Sequence, residues 1–554
     1  MMKKTMKQIS ALALAAMMGA SVIGGCGTAQ NQAADVSDTS ATDDTAVKKD
    51  PSVPGWQQDN SEHVELTWYV NATWWDPSFG EDLVTKKIAE DTNVTINFVV
   101  GDDTNLNTYF AGEDLPDVIT LFDSSSSAAV TADSWAMPLQ DLADKYDPYF
   151  YEVVPQETLN WMALEDGKAY GCPGYFSAEK DYDAESYDTV YPQQAFVMRK
   201  DVYEALGEPD MSTPEKFLET LGKIKEEYPD LVPLGFNAMT TSEGSLGSFF
   251  QNLLGIPLLD ENNNWYDRQM DEDYLNWIST LNKAYNQGYI IDDSFADDGD
   301  AFNEKLQVGK YACVIMGSVV NMNQSLQAFY ATNPEAAYIA VDGPKSSVEG
   351  RKPIFSNAGL GGWTVSYVTK NCKNPERAIE LFTYLMSDYG EIISFYGIEG
   401  ETYTIQDGKY ILTDEVKKIR DEDPEKYRKE YRLSNFYLFG NDRYNAMGEC
   451  PKAMEQIYQF GSDKIHERGL DIIREQFSLS QINPDSNTVE ARNMTNINTN
   501  WYTTIVSLIR STNDTEFQKV LDEYKAFRET NGWDKIVQIH NEKLQNNRAV
   551  LGYN

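Results

Sequence analysis

The segment with the strongest chemical character is Asn71-Ala72-Thr73-Trp74-Trp75-Asp76, which follows a predicted strand. Sugar rings pack their flat C–H faces on aromatic side chains, while their hydroxyl groups need amide or carboxylate partners. Trp74 and Trp75 offer the aromatic surface, and Asn71 and Asp76 offer the polar groups. We predict that this loop contacts a sugar, with one tryptophan at the ligand and the other in the core. The sequence does not tell which is which, so replacing both by alanine is expected to weaken binding without unfolding the protein.

Further candidates for ligand contact are polar or aromatic residues that follow other predicted strands. Loops at the carboxyl ends of strands are the usual place for ligand contacts in an open α/β sheet. The candidates are Asp123, Tyr175, Phe176, Asn237, Ser318, Asn321 and Trp363. For each of them a purely structural role has the same weight as contact with ligand. Trp135 and Trp161 are predicted to be core residues instead.

Motifs for catalysis and cofactor binding are weak in this sequence. The histidines, His63, His466 and His540, lie far apart without metal-ligand spacing, which disfavours zinc sites and histidine-based triads. The Ser-x-x-Lys match at 177–180 lacks companion motifs, and the glycines at 359–362 lack the third glycine of a dinucleotide fingerprint. We therefore expect no catalytic residue, no cofactor, no metal ion and no enzymatic activity. A glycosidase stays open as an alternative, because it needs only two suitably spaced carboxylates.

Two further features leave alternatives open. Asp260, Asn262 and Asn264 have the spacing of a calcium loop, but Trp265 stands where the turn of that loop needs glycine. A calcium site is therefore neither predicted nor excluded. Four cysteines of the body are spaced too widely for a compact disulfide framework, so they are either paired or buried as thiols. They are Cys172, Cys313, Cys372 and Cys450.

The charge of the chain excludes several classes of partner. The 554 residues contain 46 Lys and Arg against 87 Asp and Glu, a formal net charge of −41. Such a charge repels phosphate backbones and anionic lipid surfaces, so nucleic-acid binding and a polybasic membrane patch are disfavoured. Hydrophobic residues at 41% and aromatic residues at 12% are too many for a disordered acidic chain. The length exceeds what one core usually fills, so at least two lobes are expected.

The N-terminus has the pattern of an export signal. Lys3, Lys4 and Lys7 precede an apolar stretch from Ile9 to Ile23 that is too short to span a membrane as a helix. The run Ile23-Gly24-Gly25-Cys26 resembles a bacterial lipobox, in which the cysteine is lipidated after cleavage. We predict a signal peptide over 1–25, with an ordinary signal that happens to contain Cys26 as the alternative. Loss of the three lysines changes the net charge from −41 to −44.

Residues 26–60 form the lipidated cysteine and a flexible linker, because the segment is rich in Ser, Thr, Asp, Ala and Gln. No other stretch is apolar for long enough to cross a membrane. Lipid chains on Cys26 would therefore hold the protein on the outer face of the cytoplasmic membrane, on the extracellular side.

The elements that position the candidate residues alternate between strand and helix. Strands are predicted at 66–70, 94–100 and 118–121, with a helix over 81–91. Two further helices begin at Thr213 and Asn374, each with proline in its first turn. From about residue 411 the pattern is mostly helical. Short strands between helices indicate an α/β fold.

Several segments in order resemble the family 1 extracellular solute-binding proteins. They are DLPDVI, DGKAYGCPGYF, FVMRKDVYEALGEPDMSTPEKFLETL, NQGYIIDDSF, GKYACVIMGS and NPERAIELFTYLMS. The later run YGIEGETYTIQDGKY is similar to a segment of the LipO-like lipoprotein branch of that family. These segments cover roughly residues 61–410.

The resemblance implies a type II periplasmic-binding-protein-like fold of two α/β lobes, with the ligand in the cleft between them and a helical C-terminal extension. It places lobe 1 at 61–198 and 359–430, and lobe 2 at 199–358 and 431–554. Crossings between the lobes are expected near Ala195 to Met198, near Gly359 to Trp363, and soon after Tyr403.

The function that the resemblance implies is that of a receptor. A monomer would capture an oligosaccharide and deliver it to the permease subunits of an ABC importer. An exported carbohydrate-active enzyme and a surface adhesion lipoprotein are the alternatives.

Overall fold

The computed structural model describes residues 49–553 apart from 59–60, 183–191, 193, 238, 240–241, 243, 356–358, 442 and 486–487. The strands are β1 (Val64–Val70), β2 (Val94–Val100), β3 (Val118–Leu121), β4 (Gly171–Gly174), β5 (Gln194–Arg199), β6 (Val232–Phe236), β7 (Tyr311–Gly317), β8 (Tyr338–Ala340), β9 (Thr364–Val368), β10 (Tyr403–Gln406) and β11 (Lys409–Leu412).

The helices, short turns of 3₁₀ helix apart, are α1 (Leu83–Thr92), α2 (Asp103–Gly112), α3 (Ala132–Trp135), α4 (Leu139–Tyr146), α5 (Phe150–Val153), α6 (Gln156–Trp161), α7 (Lys200–Ala205), α8 (Pro214–Glu227), α9 (Ser248–Leu253), α10 (Glu272–Asn286), α11 (Gly299–Gln307), α12 (Val319–Thr332), α13 (Pro375–Met386), α14 (Asp388–Tyr396), α15 (Asp414–Glu422), α16 (Pro424–Glu430), α17 (Glu455–Arg468), α18 (Leu470–Ser478), α19 (Val489–Arg510), α20 (Asp514–Thr530) and α21 (Trp533–Leu551).

Local signals in the sequence explain where several helices begin. The side chain of Asp82 accepts a hydrogen bond from Thr85 N at 2.9 Å and starts α1. Thr213 caps α8 in the same way, with proline at the first helical position. The predicted strands at 94–100 and 118–121 and the helix after Asn374 are also confirmed.

The strands form two separate large sheets, each the centre of one lobe. The first sheet has the order β2-β1-β3-β9-β4, with β1 parallel to β2 and β3, and β9 antiparallel to β3 and β4. The second has the order β6-β7-β5-β8, with β6 parallel to β7 and β5 antiparallel to β7 and β8. A small hairpin of β10 and β11 is attached to the C-terminal part of lobe 1.

Each lobe has its own aromatic core. In lobe 1 the fully buried Trp68 packs against Phe98, Phe382 and Phe439, with ring centroids 4.7–5.7 Å apart. In lobe 2 Trp277 packs against Phe217 and Phe250 in the same way. Each buried aromatic side chain removes a large apolar area from water, so these contacts stabilise the core of each lobe.

The sheets correct two of the predicted lobe boundaries. β5 pairs with β7 and β8, so the boundary predicted at residue 198 falls inside lobe 2 and the first crossing lies between β4 and β5. The second crossing ends just before β9, close to its predicted position at 359–363. The third crossing lies between Gly448 and Met454, because Gly448 still pairs with Tyr410 of the β10–β11 hairpin and Met454 lies in the core of lobe 2. The boundary predicted at residue 430 is therefore too early.

The C-terminal helices join the two lobes. α19 lies along α10 of lobe 2, where Asn282 Nδ2 donates to the carbonyls of Leu508, Ile509 and Ser511 at 2.6–3.2 Å. α18 and α21 cover an apolar cluster with members from both lobes and from the second crossing: Trp161, Tyr182, Leu258, Leu259, Ile354, Leu360, Ile473, Phe477 and Leu544. Among the described helices, none combines the length and the apolar character that a membrane crossing requires.

Candidate functional site

A network of hydrogen bonds at the carboxyl ends of β1 and β2 holds the residues that follow β1 in place. Tyr69 donates its hydroxyl to the carbonyl of Asp102 at 2.7 Å and to Asn71 Oδ1 at 3.1 Å. Asn71 Nδ2 in turn donates to Asp103 Oδ1 at 2.8 Å. The orientation of Asn71 is therefore fixed between the ends of β1 and β2.

Trp74 and Trp75 point in opposite directions. Trp74 is 61% exposed, and its ring lies 6.0 Å from that of Trp363 at an interplanar angle of 11°. Phe122 packs edge-on against both tryptophans, at 5.7 Å and 5.2 Å. Tyr175 lies 6.5 Å from Trp363. We call Trp74, Phe122, Tyr175 and Trp363 the aromatic cluster.

The aromatic cluster is assembled where the chain leaves lobe 1 and returns to it. Trp363 N donates to the carbonyl of Gly174 at 3.0 Å, and Tyr175 N donates to the carbonyl of Gly440 at 2.6 Å. Gly362 has a φ of +66°, and a Cβ placed there would lie 2.5 Å from the carbonyl oxygen of Gly174. Only glycine fits this turn without strain. Because the first crossing starts here and the second crossing ends here, the aromatic cluster lies at the boundary between the lobes.

The geometry of the tryptophan pair limits how it can hold a ligand. A ring inserted between two parallel rings needs planes about 7 Å apart, since each van der Waals contact takes about 3.5 Å. The centroids of Trp74 and Trp363 are only 6.0 Å apart. No sugar ring fits between them in this arrangement. Trp363 is 44% exposed, so a ligand has access to the outer surfaces of the pair.

Two of the predicted ligand residues are core residues instead. Trp75 is 3% exposed and packs against Phe98 and Phe439, with the guanidinium of Arg432 5.0 Å from its ring. Phe176 is 1% exposed and belongs to the same core. Neither side chain presents its ring to the surface. This corrects the candidate ligand contact at Phe176 and at Trp75, and it identifies Trp75 as the core residue expected in the tryptophan pair.

Asp76 is a structural residue of its turn. Its Oδ1 accepts hydrogen bonds from Ser78 N at 3.0 Å and Ser78 Oγ at 2.6 Å, and its carboxylate is ion-paired with Arg428. Partial burial favours protonation, but the bonds from Ser78 and the charges of Arg432 and Arg428 outweigh it, so the pKa of Asp76 lies below its usual value. These contacts fasten the loop to the C-terminal part of lobe 1.

A cavity of about 660 Å³ adjoins the aromatic cluster at Phe122. It is lined by Asn71 and by Asp123, whose Oδ1 accepts from Ser125 N at 2.8 Å and Ser125 Oγ at 2.6 Å. The opposite wall comes from α2 and from the segment 126–135. Its size is within the range of small-molecule sites.

The predicted residues of lobe 2 lie at the ends of β6 and β7. Asn237 pairs its side-chain amide with the backbone of Gly317, at 3.0 Å and 3.2 Å, and so ties the two strand ends together. Ser318 adopts a left-handed conformation at the start of α12, and Asn321 is exposed on the first turn of that helix. Contact of any of these residues with a ligand stays a prediction.

Phe122 and Gln481 were not among the residues predicted from the sequence, and Trp161 was predicted only as a core residue. Phe122 directly follows the predicted strand at 118–121 and was not singled out as a candidate. Trp161 is half-buried, and its indole nitrogen lies beside Gly361. Gln481 Nε2 donates to Ser124 Oγ at 2.5 Å from a distant part of the chain. The approach of Trp161 to Gly361 and the contact of Gln481 with Ser124 join distant parts of the chain, so no local sequence pattern indicates them.

The groups considered for metal binding and disulfides have structural partners. Asp260 Oδ1 accepts from the backbone N–H groups of Asn262 and Asn264, both at 2.8 Å. Within the described residues, no three His, Cys, Asp or Glu side chains gather as a metal site would require. The four cysteines of the body are free thiols, and Cys172, Cys313 and Cys372 are buried.

Comparison with known proteins agrees with the two-lobed architecture. An extracellular solute-binding protein from Bifidobacterium longum subsp. infantis is 16% identical with a TM-score of 0.64, covering 88% of this chain and 98% of that chain. FusA of S. pneumoniae, an ABC-transporter substrate-binding protein in complex with kestose, is 15% identical with a TM-score of 0.59, covering 88% and 99%. The alginate-binding protein AlgQ2 is 16% identical with a TM-score of 0.58, covering 88% and 98%. At these identities the likeness is one of fold.

No curated protein sequence matches the chain. A family model described as bacterial extracellular solute-binding protein matches residues 76–391. Because this match spans more than half of the sequence, the chain belongs to the bacterial extracellular solute-binding proteins.

Proposed function

We propose that this solute-binding protein is a lipid-anchored receptor that captures an oligosaccharide between its two lobes and delivers it to an ABC importer. The observation that carries the proposal is the aromatic cluster at the lobe boundary, with Trp74 and Trp363 exposed side by side. Exposed aromatic rings of this area are costly in water and match the C–H faces of sugars.

The polar groups beside the aromatic cluster support a sugar as cargo. Asn71 and Asp123 line the adjoining cavity, and their amide and carboxylate groups are the partners that sugar hydroxyls need. Two proteins of similar fold are named for carbohydrate ligands: FusA in complex with kestose and the alginate-binding protein AlgQ2.

The receptor acts by moving its two lobes between an open and a closed arrangement. A ligand that contacts both lobes favours the closed arrangement by its higher affinity for that arrangement. The closed form then docks on the permease subunits of the importer. The receptor itself breaks no bond of its cargo.

The N-terminal segment is proposed to anchor the protein at the membrane. Lipid chains on Cys26, which lies outside the described residues, hold the monomer on the outer face of the cytoplasmic membrane. The segment 27–48, which also lies outside the described residues, is proposed as the spacer between this anchor and the body. Residues 49–58 of the predicted linker 26–60 are part of lobe 1 instead, because Trp56 is buried in its core and Lys49 is ion-paired with Glu376.

Binding assays with product analysis separate the receptor from its alternatives. The purified protein is titrated with neutral and charged oligosaccharides of two to six units, with intrinsic tryptophan fluorescence and calorimetry as readouts. Each mixture is then analysed for cleaved sugar by chromatography. Saturable binding with unchanged sugar supports the receptor, whereas turnover supports an exported carbohydrate-active enzyme. Binding of no oligosaccharide overturns the proposed cargo and leaves the adhesion lipoprotein as the better reading.

The site is tested with single substitutions in the aromatic cluster. Trp74→Ala is expected to weaken oligosaccharide binding about 10-fold or more, because truncating an exposed tryptophan anchor removes more than about 1.4 kcal/mol. The unfolding free energy is expected to stay within about 0.5 kcal/mol of wild type, as for other exposed positions. Val308→Ala, at an apolar position 72% exposed on lobe 2, is the control. Unchanged affinity in folded Trp74→Ala would remove the aromatic cluster from the binding site.

A further inference from the structure

The cavity beside Phe122 has a charge and hydrogen-bonding character that selects among sugars. We infer that it holds one end of the cargo oligosaccharide and that this cargo is uncharged or amine-bearing, with acidic sugars rejected. This inference rests on the proposed function and names the substrate class of the same site.

The cavity continues the surface of the aromatic cluster. Phe122 lines the cavity, and its ring is also packed against Trp74 and Trp363. Phe110 and Trp135 add aromatic surface farther in. An extended sugar chain that lies on the outer surfaces of the tryptophans therefore reaches the cavity by passing Phe122.

The lining of the cavity carries negative charge without basic residues. Asp103 and Asp123 both line it. The segments that form its walls, 71–76, 101–112 and 121–135, contain no Lys, Arg or His. An acidic sugar placed here meets two carboxylates and no cation from these walls. Both carboxylates are exposed in the ligand-free structure, so their repulsion of an acidic sugar grows as the bound sugar displaces water from them.

Each of the two carboxylates uses one oxygen to hold the fold. Asp103 Oδ1 accepts from Asn71 Nδ2 at 2.8 Å, and Asp123 Oδ1 accepts from Ser125. The Oδ2 atom of each accepts no hydrogen bond from the described residues. An ionised carboxylate only accepts, so these atoms are suited to a hydroxyl or ammonium group that donates.

Most hydrogen-bond donors of the cavity are already engaged. Trp135 Nε1 donates to the carbonyl of Ala128 at 3.0 Å. Thr131 Oγ1 donates to the carbonyl of Ser127 at 2.8 Å, and Ser134 Oγ donates to the carbonyl of Thr131 at 2.7 Å. The side chains of Asn107, Ser126 and Ser127 also line the cavity and can both donate and accept, whereas its charged groups, Asp103 and Asp123, are acceptors only. A sugar hydroxyl satisfies them, whereas a carboxylate or sulfate of an acidic sugar brings only further acceptors.

The test compares matched oligosaccharides that differ in charge. Neutral oligosaccharides of two to six hexoses are titrated beside counterparts in which hexuronate or hexosamine replaces hexose. We expect the neutral and amine-bearing sugars to bind, and the uronate counterparts to bind at least 10-fold more weakly at 0.15 M salt. An acidic oligosaccharide that binds as tightly as its neutral counterpart overturns this inference alone. Binding of no oligosaccharide overturns the proposed function and this inference with it.

A pair of double variants separates the local carboxylates from the overall charge of the protein. Asp103→Asn with Asp123→Asn keeps the acceptor oxygens that hold Asn71 and Ser125 but removes both charges. Asp522→Asn with Glu523→Gln removes two charges from the exposed surface of α20. We expect only the first pair to reduce the discrimination against uronates, by about 5-fold or more. Equal discrimination in both double variants, or a drop in both, overturns the inference, because the cavity would then not be its source.

Discussion

His540 is a buried residue whose protonation opposes folding. It is 5% exposed and lies on α21 with its ring 4.8 Å from the ring of Trp265. Neither ring nitrogen has a hydrogen-bond partner among the described residues. Burial and the nearby charge of Lys543 lower the pKa of His540 to about 4. The ring is therefore neutral in the folded protein at neutral pH.

The sign of the resulting pH dependence follows from this lowered pKa. Between pH 6.5 and about 4 the unfolded chain binds a proton at His540 that the folded protein does not bind, so stability falls as the pH falls. The full effect is about 3 kcal/mol. We predict that His540→Leu loses less unfolding free energy than wild type between pH 7 and pH 4.5 in urea titrations. The exposed His466→Gln serves as control, and an equal loss in wild type and His540→Leu would contradict the prediction.

Trp74 and Trp75 show why single residues resist assignment from sequence. The tandem pair was predicted to contain one core residue, and Trp75 is that residue. Its partners Phe436, Phe439 and Arg432 lie more than 350 positions later in the chain, so no local pattern identifies it. Truncating a buried tryptophan costs about 3–5 kcal/mol. The double alanine variant would therefore lose stability, and Trp74→Ala alone is the informative substitution.

At the scale of elements, the alternation of apolar residues located β1 correctly but predicted burial for only one of its two faces. The period-two pattern of Leu66, Trp68 and Val70 predicts one buried face, and all three residues are buried. Tyr69 on the other face is buried too, because β1 lies between β2 and β3 and both faces of the sheet are covered. Capping signals and prolines located α8 and α13 because they act within one turn of the chain.

The role of the turn before β9 in positioning Trp363 can be tested, because its two neighbouring glycines differ in their surroundings. A Cβ at Gly362 would lie 2.5 Å from the carbonyl oxygen of Gly174, in a left-handed conformation. A Cβ at Gly361 would come no closer than 3.4 Å to its neighbours, which are Gln481 and Trp161 at that distance and Ser124 at 3.7 Å. We predict that Gly362→Ala lowers the unfolding free energy by more than about 1 kcal/mol and weakens oligosaccharide binding by displacing Trp363.

Gly361→Ala is the matched control for this turn. It adds the same methyl group one residue earlier, and we expect its stability and affinity to stay close to wild type. Urea unfolding and calorimetric titration measure both quantities. Similar behaviour of the two variants would show that the conformation of the turn does not position Trp363.

At the scale of the whole molecule, the family resemblance predicted two lobes, and the sheets show where the chain divides. The first crossing precedes β5 and the third lies beyond residue 447, because strand pairing and core packing at long range decide both. The C-terminal helices were predicted to belong to lobe 2. They also reach lobe 1, which the sequence could not indicate, since amphipathic helices do not reveal which surfaces they cover.

An ion pair between α18 and the first crossing, next to lobe 1, is part of this connection. Arg474 pairs with Glu179, whose backbone N–H donates to Glu157 of α6 at 2.9 Å, and the hydroxyl of Tyr553 lies 3.3 Å from Glu179 Oε2. α21 is in turn fastened to lobe 2, where Asn541 Oδ1 accepts from Trp265 N at 2.8 Å. Arg474 and Tyr553 thus brace lobe 1 against helices that are fixed on lobe 2.

Removing the contacts of Arg474 and Tyr553 with Glu179 should change the distances between the lobes without changing the stability of either lobe. We predict that Arg474→Gln with Tyr553→Phe broadens the distribution of interlobe distances in the ligand-free protein, because fewer contacts then favour the arrangement described here. Spin labels on cysteines at the exposed Glu165 of lobe 1 and Glu219 of lobe 2, with Cys450 replaced by serine, measure that distribution.

The control for the brace is an ion pair of the same kind within one lobe. Arg510 on α19 pairs with Asp292, and its side chain is 43% exposed, as is that of Arg474. An exposed pair contributes only about 0–1 kcal/mol to folding, so neither Arg510→Gln nor the brace variant should alter unfolding by more than that. Only the brace variant should broaden the interlobe distances. If both variants leave the distribution unchanged, the apolar cluster under α18 and α21 holds the lobes without the ion pair.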